Sequence, residues 1–552
     1  MQTTRVRLGD ALIAKGLITP KQLQMALDEQ KRAHRPLGEI LISLGFVRSD
    51  QIAQVMADAL NIPLVRARDI EPDPVLISVL DMGFVRATQA FPIELVDGNL
   101  RVAMVDPTDP EKVSAVRQVF PYSLDLCMVT DADLAQLTRR FLASQRGEVA
   151  TLMAGGGDTA DVETFPVEQV TEAILADAVN RGATDIHIQP EETITRVRFR
   201  VDGVLQNAEG LPRFASEAII SRIKIMSRLD IAERRRPQDG RLRFELDGRR
   251  VEMRVSVMPN VYGENVVLRI LDRTGGAPRL THLGLDDGLL RHLQHVAASP
   301  HGLFLVTGPT GSGKTTTLYS LLGEVDAMTR HVATIEDPVE YPMPLVRQSQ
   351  TDTAVGYGFN EGLRALLRQD PDVVLVGEIR DTETASMAVK AAMTGHLVMS
   401  TLHTNSAIGA IPRLINLGIP GYLLVDSLIG VLAQRLVRRV CNSCGEAAEP
   451  TQHLIDWLGG DLGTPRIGRG CDACGGTGLL GRTTICELFL PSGDMTELLR
   501  NGAEADKLEA LARTHGFRSM EDDGREKVRK GATTMAEILR VSRSHRLDGS
   551  AA

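Results

Sequence analysis

Three groups of residues in this 552-residue chain have the types and spacing that chemistry requires. The first is GPTGSGKT at 308–315. Gly308, Gly311 and Gly313 let backbone N–H groups close around phosphate, with Pro309, Thr310 and Ser312 completing the loop. A helix starting here would aim its N-terminus at the anion. Lys314 would reach the β- and γ-phosphates of ATP, the Thr315 hydroxyl would ligate Mg2+, and Thr316 extends the binding turn. The second group sits beside apolar runs: Glu336, Asp337 and Glu340 in TIEDPVEY, Glu378 in DVVLVGEIRD, and His396 and His403 in TGHLVMSTLH. A lone carboxylate is usually a cap or a solvated charge, and a lone His a satisfied structural residue. Several such groups at the strand ends of one phosphate-loop sheet point instead to a site. The third group is Cys441-x2-Cys444 and Cys471-x2-Cys474. Four soft thiolates at this spacing favour a closed, structural Zn2+ site over two reactive pairs. Cys127 and Cys486 lie in apolar contexts that suggest burial.

These groups need elements to hold them. From about residue 280 the apolar runs LFLVTG, HVATIED, DVVLVGE and HLVMSTLH alternate with helical patterns, which predicts an α/β domain with a parallel sheet over 280–552. The cysteine pairs fall in an insertion, 437–486, and the tail beyond it reads as helices. Residues 167–273 open on a helical pattern and continue as alternating strands, an α+β domain. The Gly-rich stretch 146–166 reads as a flexible linker. Residues 1–145 form a further domain that starts with an internal repeat: LGDALIAKGLI (8–18) recurs as LGEILISLGFV (37–47). Each copy reads as two short helices around a Gly turn, with Thr19-Pro20 and Ser49-Asp50 starting the second helix. The stretch 92–107 reads as two strands joined at Asp97-Gly98.

Composition narrows the function classes. Hydrophobic residues make up 43% and charged residues 24%, enough to bury full cores, so the chain is not disordered as a whole. No run approaches the ~18 apolar residues of a membrane span; the best, 421–436, is broken by Asp426 and Arg435. The N-terminus lacks the apolar core of a signal peptide, and a cytosolic protein is expected. Net charge is -9, from 62 basic and 71 acidic side chains, which argues against a nucleic-acid partner.

Read together, GPTGSGKT, TIEDPVEY, LRQDPDVVLVGEIRDTETA and TGHLVMSTLHTNSA resemble the Walker A, Asp-box, Walker B and His-box segments of the secretion traffic ATPases. These are the hexameric motors of type II secretion and type IV pilus assembly. The resemblance extends to GATDIHIQP, RRRPQDGRL and MRVSVMPNVYGENVVLRIL upstream and to GFRSMEDDGREKVRKGATTMAEILRV downstream, roughly residues 165–545. It implies a RecA-like P-loop ATPase core, a preceding α+β domain, a tetra-cysteine zinc insertion and an N-terminal, mainly helical module. It implies Glu340 as the residue that orients or deprotonates the attacking water, and Glu378 as the carboxylate serving Mg2+ or its water shell. His396 and His403 would sense the γ-phosphate or couple it to domain movement. Arg241, Arg254 and Arg269 would bring positive charge to the nucleotide, in cis or from a neighbour, although strand salt bridges explain the same residues. The implied cofactors are ATP, Mg2+ and Zn2+. The implied partners are further copies in a hexamer, an inner-membrane platform protein and a cytoplasmic adaptor, placing the chain peripherally at the inner membrane. Type II secretion is favoured over type IV pilus extension.

Residues 7–30 also resemble one copy of a tandem motif that binds cyclic di-GMP on some of these motors. Arg7 and Gln30 are its polar ends; in the second copy Pro36 and Ala59 replace them. A docking module for the platform or adaptor is the alternative. A nucleotide-gated, cyclic di-GMP-responsive scaffold with weak turnover is the alternative for the whole chain.

Overall fold

The computed structural model describes residues 8–33, 35–67, 70, 76, 82–96, 98–131, 133–134, 137–138, 165–208, 210–246, 249–271, 276–501 and 505–542. The linker expected at 146–166 lies outside the described residues except at its last two positions. The chain divides into two compact units, residues 1–274 and 275–552.

In the first unit the sequence repeat becomes two helix pairs, Leu8–Ala14 with Pro20–Ala33 and Leu37–Ser43 with Ser49–Leu60. Apolar residues at helical spacing, Leu12, Ala26, Ile40, Leu41 and Val55, close one small core between them. The Thr19 start is a reciprocal cap: the Gln22 N–H donates to Thr19 Oγ1 at 3.2 Å and the Thr19 N–H donates to Gln22 Oε1 at 2.8 Å. In the second copy the expected start at Ser49 moves back by one. The Arg48 N–H donates to Gln51 Oε1 at 3.1 Å, so Ser49 is already helical. The strands expected over 92–107 are Ala90–Val96 and Asn99–Met104, joined by Ser123–Met128 in parallel beyond the helix Pro110–Val119.

The rest of this unit is an antiparallel sheet faced by the helices Val167–Asn180 and Ser216–Met226. Alternation along the strands puts Ile186, Ile188, Val197, Phe199, Met253, Val255 and Leu268 in one core beneath those helices. The intervening positions carry charge. Register makes Arg241 face Arg254, Arg254 face Arg269, Arg269 face Asp185 and Asp185 face Arg200. Four arginines from separate strands therefore share one row with Asp185.

The second unit is built on seven strands in the order Arg347–Gln350, Val332–Glu336, Val373–Val376, Leu397–Leu402, Gly302–Thr307, Leu428–Val440 and Leu479–Phe489. The first six are parallel and the last is antiparallel. The inner four strands are fully buried, as continuous apolar runs in a sheet covered on both faces must be. Two cores flank them, one centred on the helix Thr382–Met393 and the other on Asp287–Ala298 with Lys314–Leu322. The cysteine insertion joins the last two strands, and the tail is helical through Met535–Ser542. Among the described residues no helix is long and apolar enough to cross a membrane.

Candidate functional site

The strand Gly302–Thr307 ends directly before the loop 308–313, and the helix Lys314–Leu322 starts directly after it. Gly313, at φ 88°, precedes that helix in a conformation that suits glycine. Gly308 has φ 145°, and a Cβ there would sit 2.5 Å from the Gln434 carbonyl oxygen. The glycines thus serve both the turn and the close passage of the neighbouring strand. The Lys314 ammonium donates to the carbonyls of Gly308 and Pro309 at 2.8 and 3.0 Å. Burial lowers its pKa, the nearby Glu378 carboxylate opposes that, and the Arg435 charge adds to the lowering. Thr315 is exposed at the mouth of the loop, with Thr316 half-buried beside it.

Parallel strands place their carboxyl ends on the same side, and the ligand-facing groups collect there. Glu378 follows the strand Val373–Val376 and is 14% exposed at the side chain. Its Oε2 meets Arg380 Nε at 2.6 Å and His403 Nε2 at 3.4 Å. His403 follows the strand Leu397–Leu402, and the Thr307 hydroxyl ties that strand end to the loop strand through the Leu402 carbonyl at 3.1 Å and Thr404 Oγ1 at 2.7 Å. Glu378 thus contacts His403 and lies within electrostatic reach of Lys314. His396 does not join them. It precedes Leu397, whose partner is Gly302 at the far end of the loop strand, about 18 Å along the sheet at the usual rise per residue. There its ring nitrogen bonds the Ala391 carbonyl. Strand direction separates the two histidines, so γ-phosphate sensing by His396 within its own subunit has no geometric basis.

The acidic segment 336–340 also divides. Glu336 is 3% exposed, takes a hydrogen bond from Thr334 Oγ1 at 2.5 Å and pairs with the Tyr319 hydroxyl. Burial raises its pKa against those bonds. Asp337 is exposed, and Glu340 is half-buried with its N–H donating to Tyr319 Oη at 3.2 Å. Of the three, Glu336 is committed to the core, while the Asp337 and Glu340 carboxylates lie outside it.

In the first unit, Asp185, Asp239, Arg241, Arg254, Ser256 and Arg269 line a cavity of about 610 Å3. Asp185, 7% exposed, receives Arg269 Nε at 3.1 Å and Arg200 Nε at 3.4 Å. Three arginines against two carboxylates in the lining, with Arg200 also paired to Asp185, leave a cationic surface suited to an anion. Among the described residues Arg269 forms an ion pair and Arg241 and Arg254 form none.

Cys441, Cys444, Cys471 and Cys474 bring one sulfur each within 4.8 Å of all the others. The Sγ atoms are 3.9 Å apart for Cys441–Cys471, 3.8 Å for Cys444–Cys474 and 3.7 Å for Cys471–Cys474. Tetrahedral Zn2+ with ~2.3 Å bonds places its sulfurs about 3.8 Å apart. The N–H groups of Cys471 and Gly478 each donate to Cys474 Sγ at 3.2 Å, as thiolate ligands require. The cluster fits zinc. Cys127 and Cys486 are buried apart from it.

Arg7 lies outside the described residues. The Gln30 amide donates to the Arg35 carbonyl at 3.0 Å, so in this arrangement it is committed to its own chain.

Two residues were not expected at the site. Gln434, 1% exposed, donates from Nε2 to the Ser312 carbonyl at 2.7 Å, beneath the phosphate loop. Arg435, 9% exposed, reaches Asn405 Oδ1 at 3.1 Å in the His403 loop. Their signal was present in LIGVLAQRLV: two adjacent polar side chains inside an apolar strand.

Known proteins share this organisation. Residues 160–540 match the family described as type II/IV secretion system protein. Residues 60–148 match the MshEN domain, a span that begins at the last residue of the helical repeat. The chain is 38% identical to type II secretion system protein E of Xanthomonas campestris pv. campestris, covering 98% of this chain and 99% of that one. It is 36% identical to the type IV pilus assembly ATPase PilB of Myxococcus xanthus, covering 97% and 98%. The X-ray structure of the Yersinia pseudotuberculosis ATPase DotB, 19% identical, shares the fold with a TM-score of 0.51 over 68% of this chain and 94% of that one. A family match over most of the chain and relatives spanning nearly all of it agree with the site: this chain belongs to the type II/IV secretion system protein family.

Proposed function

We propose that this chain is the ATP-hydrolysing motor of a type II secretion machine, acting as a Mg2+-dependent hexamer on the cytoplasmic side of the inner membrane. The observation that carries the reading is the contact of Glu378 with His403, within electrostatic reach of Lys314, at the carboxyl end of one parallel sheet and beside a phosphate loop. Lys314 and the loop N–H groups hold the phosphates. Glu340 orients a water and takes its proton as the water oxygen bonds the γ-phosphorus and the bond to the β,γ-bridging oxygen breaks. Mg2+ bound there neutralises charge that develops on the phosphates. Glu378 and Thr315 are the side chains that would hold it, with Glu378 giving up its Arg380 and His403 contacts. His403, tied through Thr404 to the loop strand, is placed to register that change. Arg241, Arg254 and Arg269 offer positive charge to a nucleotide in their own or a neighbouring subunit.

In this reading residues 1–145 dock on an inner-membrane platform protein and an adaptor, 167–273 flank the nucleotide, and 280–552 hydrolyse it. Zn2+ at the four cysteines fastens the insertion. Steady-state ATP hydrolysis by the full-length oligomer tests the motor: turnover should vanish in Lys314→Ala and Glu340→Gln. A metal-loaded oligomer that shows no turnover with its membrane partner refutes it. The 36% identity to a type IV pilus assembly ATPase over nearly all of the chain supports a second reading, pilus extension. A deletion strain separates the two, since secretion predicts retained exoproteins and extension predicts absent pili. Cyclic di-GMP at Arg7 and Gln30 is the regulatory part of the proposal. Binding to the full chain should weaken in both Arg7→Ala and Gln30→Ala, and no binding by the wild type leaves docking as the role of the repeat.

A further inference from the structure

The phosphate-loop helix and the loop that carries Glu340 meet at one buried hydroxyl. Tyr319 lies on the helix Lys314–Leu322, four residues after Thr315 and so one turn deeper on the same helical face. Its side chain is 1% exposed. A phenol has one proton to donate and lone pairs to accept with. Around Tyr319 Oη the acceptor in reach is the Glu336 carboxylate, and the donors are the Glu340 N–H at 3.2 Å, Gln348 Nε2 at 3.4 Å and the neighbouring Tyr341 N–H. The roles follow: the hydroxyl donates to Glu336 and accepts from the backbone of Glu340. Burial and the adjacent Glu336 raise the Tyr319 pKa, which keeps that proton in place.

Other bonds make this one consequential. The segment between the strands Val332–Glu336 and Arg347–Gln350 has no regular structure. It is stitched down by Gln348, whose Oε1 accepts the Met343 N–H at 2.7 Å and whose Nε2 donates to the Tyr341 carbonyl at 3.0 Å. The Tyr341 ring stacks edge-on against Tyr319 at 5.8 Å between centroids. Within this set the Tyr319 hydroxyl bond falls on Glu340 itself, and it joins that residue to the helix that starts with Lys314 and Thr315.

We infer that Tyr319 is a positioning residue for hydrolysis: its hydroxyl fixes the backbone of Glu340 relative to the phosphate-loop helix, so that movement of one carries the other. The inference rests on the proposed role of Glu340. Tyr319→Phe in the full-length, metal-loaded oligomer keeps the ring and removes the hydroxyl. The expected result is a fall in kcat of about 10- to 100-fold, the scale of an ångström-level misplacement. KM for ATP and the affinity for MgADP should stay within about twofold, because the phosphate loop keeps its own contacts. Adding Tyr319→Phe to Glu340→Gln should cost nothing further, since both act through one group.

Removing the hydroxyl also strips a hydrogen bond from a buried carboxylate, which could unsettle the fold. The double variant Tyr319→Phe/Glu336→Gln relieves that charge while the Glu340 N–H still lacks its acceptor, and it should keep the kcat defect. Return of wild-type kcat in the double variant, unchanged kcat in Tyr319→Phe, or weakened MgADP binding in proportion to kcat would each overturn the inference. Wild-type turnover in Glu340→Gln would overturn the underlying role of Glu340, whatever Tyr319→Phe does.

Discussion

Replacing Gln434 by Met should weaken nucleotide binding without unfolding the protein, and the size of the effect can be worked from the site. Gln434 is almost fully buried, and its Nε2 gives the Ser312 carbonyl a hydrogen bond of 2.7 Å. Methionine has a similar length and fills the space under Gly313, where even a Cβ would come within 3.1 Å of Nε2. What it lacks is the donor. A buried carbonyl left without a partner costs about 1–3 kcal/mol. The loop can avoid that cost by swinging the Ser312 carbonyl toward water, which spoils the cradle of N–H groups that phosphate requires. If the whole cost falls on the binding-competent loop, affinity drops by about 5- to 140-fold, at tenfold per ~1.4 kcal/mol. Equilibrium titration of the full chain with MgADP measures this without interference from hydrolysis. Gln434→Glu should be worse, because a carboxylate then faces the Ser312 carbonyl, acceptor against acceptor. MgADP affinity within twofold of wild type in a stable Gln434→Met protein would refute the claim that this bond shapes the loop.

Gly308→Ala should abolish nucleotide binding, since φ 145° and a Cβ 2.5 Å from the Gln434 carbonyl leave no room for a side chain; a folded, binding-competent variant would contradict the geometry. Purified protein should contain about one Zn2+ per chain, and Cys474→Ser should lose it, as metal analysis can read, because four ligands close a structural site. For Glu537, burial alone would raise the pKa, but Arg438 and Arg540 override it and hold the carboxyl at about 2. A carboxyl depressed on folding stabilises above its unfolded pKa and loses that contribution as pH falls through the folded value. Stability should therefore decline between about pH 4.5 and 2 by ~3 kcal/mol from this group, at ~1.4 kcal/mol per unit. Denaturant titration of Glu537→Gln should show a shallower acid limb.

What the sequence disclosed was whatever a short segment holds complete. The phosphate loop needs its strand, its glycines and its helix within some twenty residues, and the cysteine pairs carry their own spacing. The arginines behaved differently. Arg241, Arg254 and Arg269 belong to three strands, and that they stand side by side with Asp185 depends on register, which no single segment fixes. The two histidines flanking one strand looked equivalent because a sequence gives a strand two ends and no site. Only the parallel pairing with Gly302–Thr307 puts His403 at the phosphate end and His396 at the other.

Gln434 and Arg435 mark a different limit. Along Leu428–Val440 they interrupt an otherwise apolar run, yet in the sequence Arg435 served, with Asp426, only to argue against a membrane span. The strand is central, with Gly302–Thr307 on one side and Leu479–Phe489 on the other, and consecutive burial over 430–435 shows that both of its faces are covered there. A polar side chain there must find a partner, because an unpaired one is costly in a medium that cannot solvate it. Alternation sends adjacent residues to opposite faces, so two polar neighbours cannot share one partner. Gln434 finds the phosphate loop and Arg435 finds Asn405 in the His403 loop. A pair of polar residues in a buried strand therefore predicts two polar loops meeting at that level of the sheet. Here those loops are the phosphate loop and the loop that carries His403.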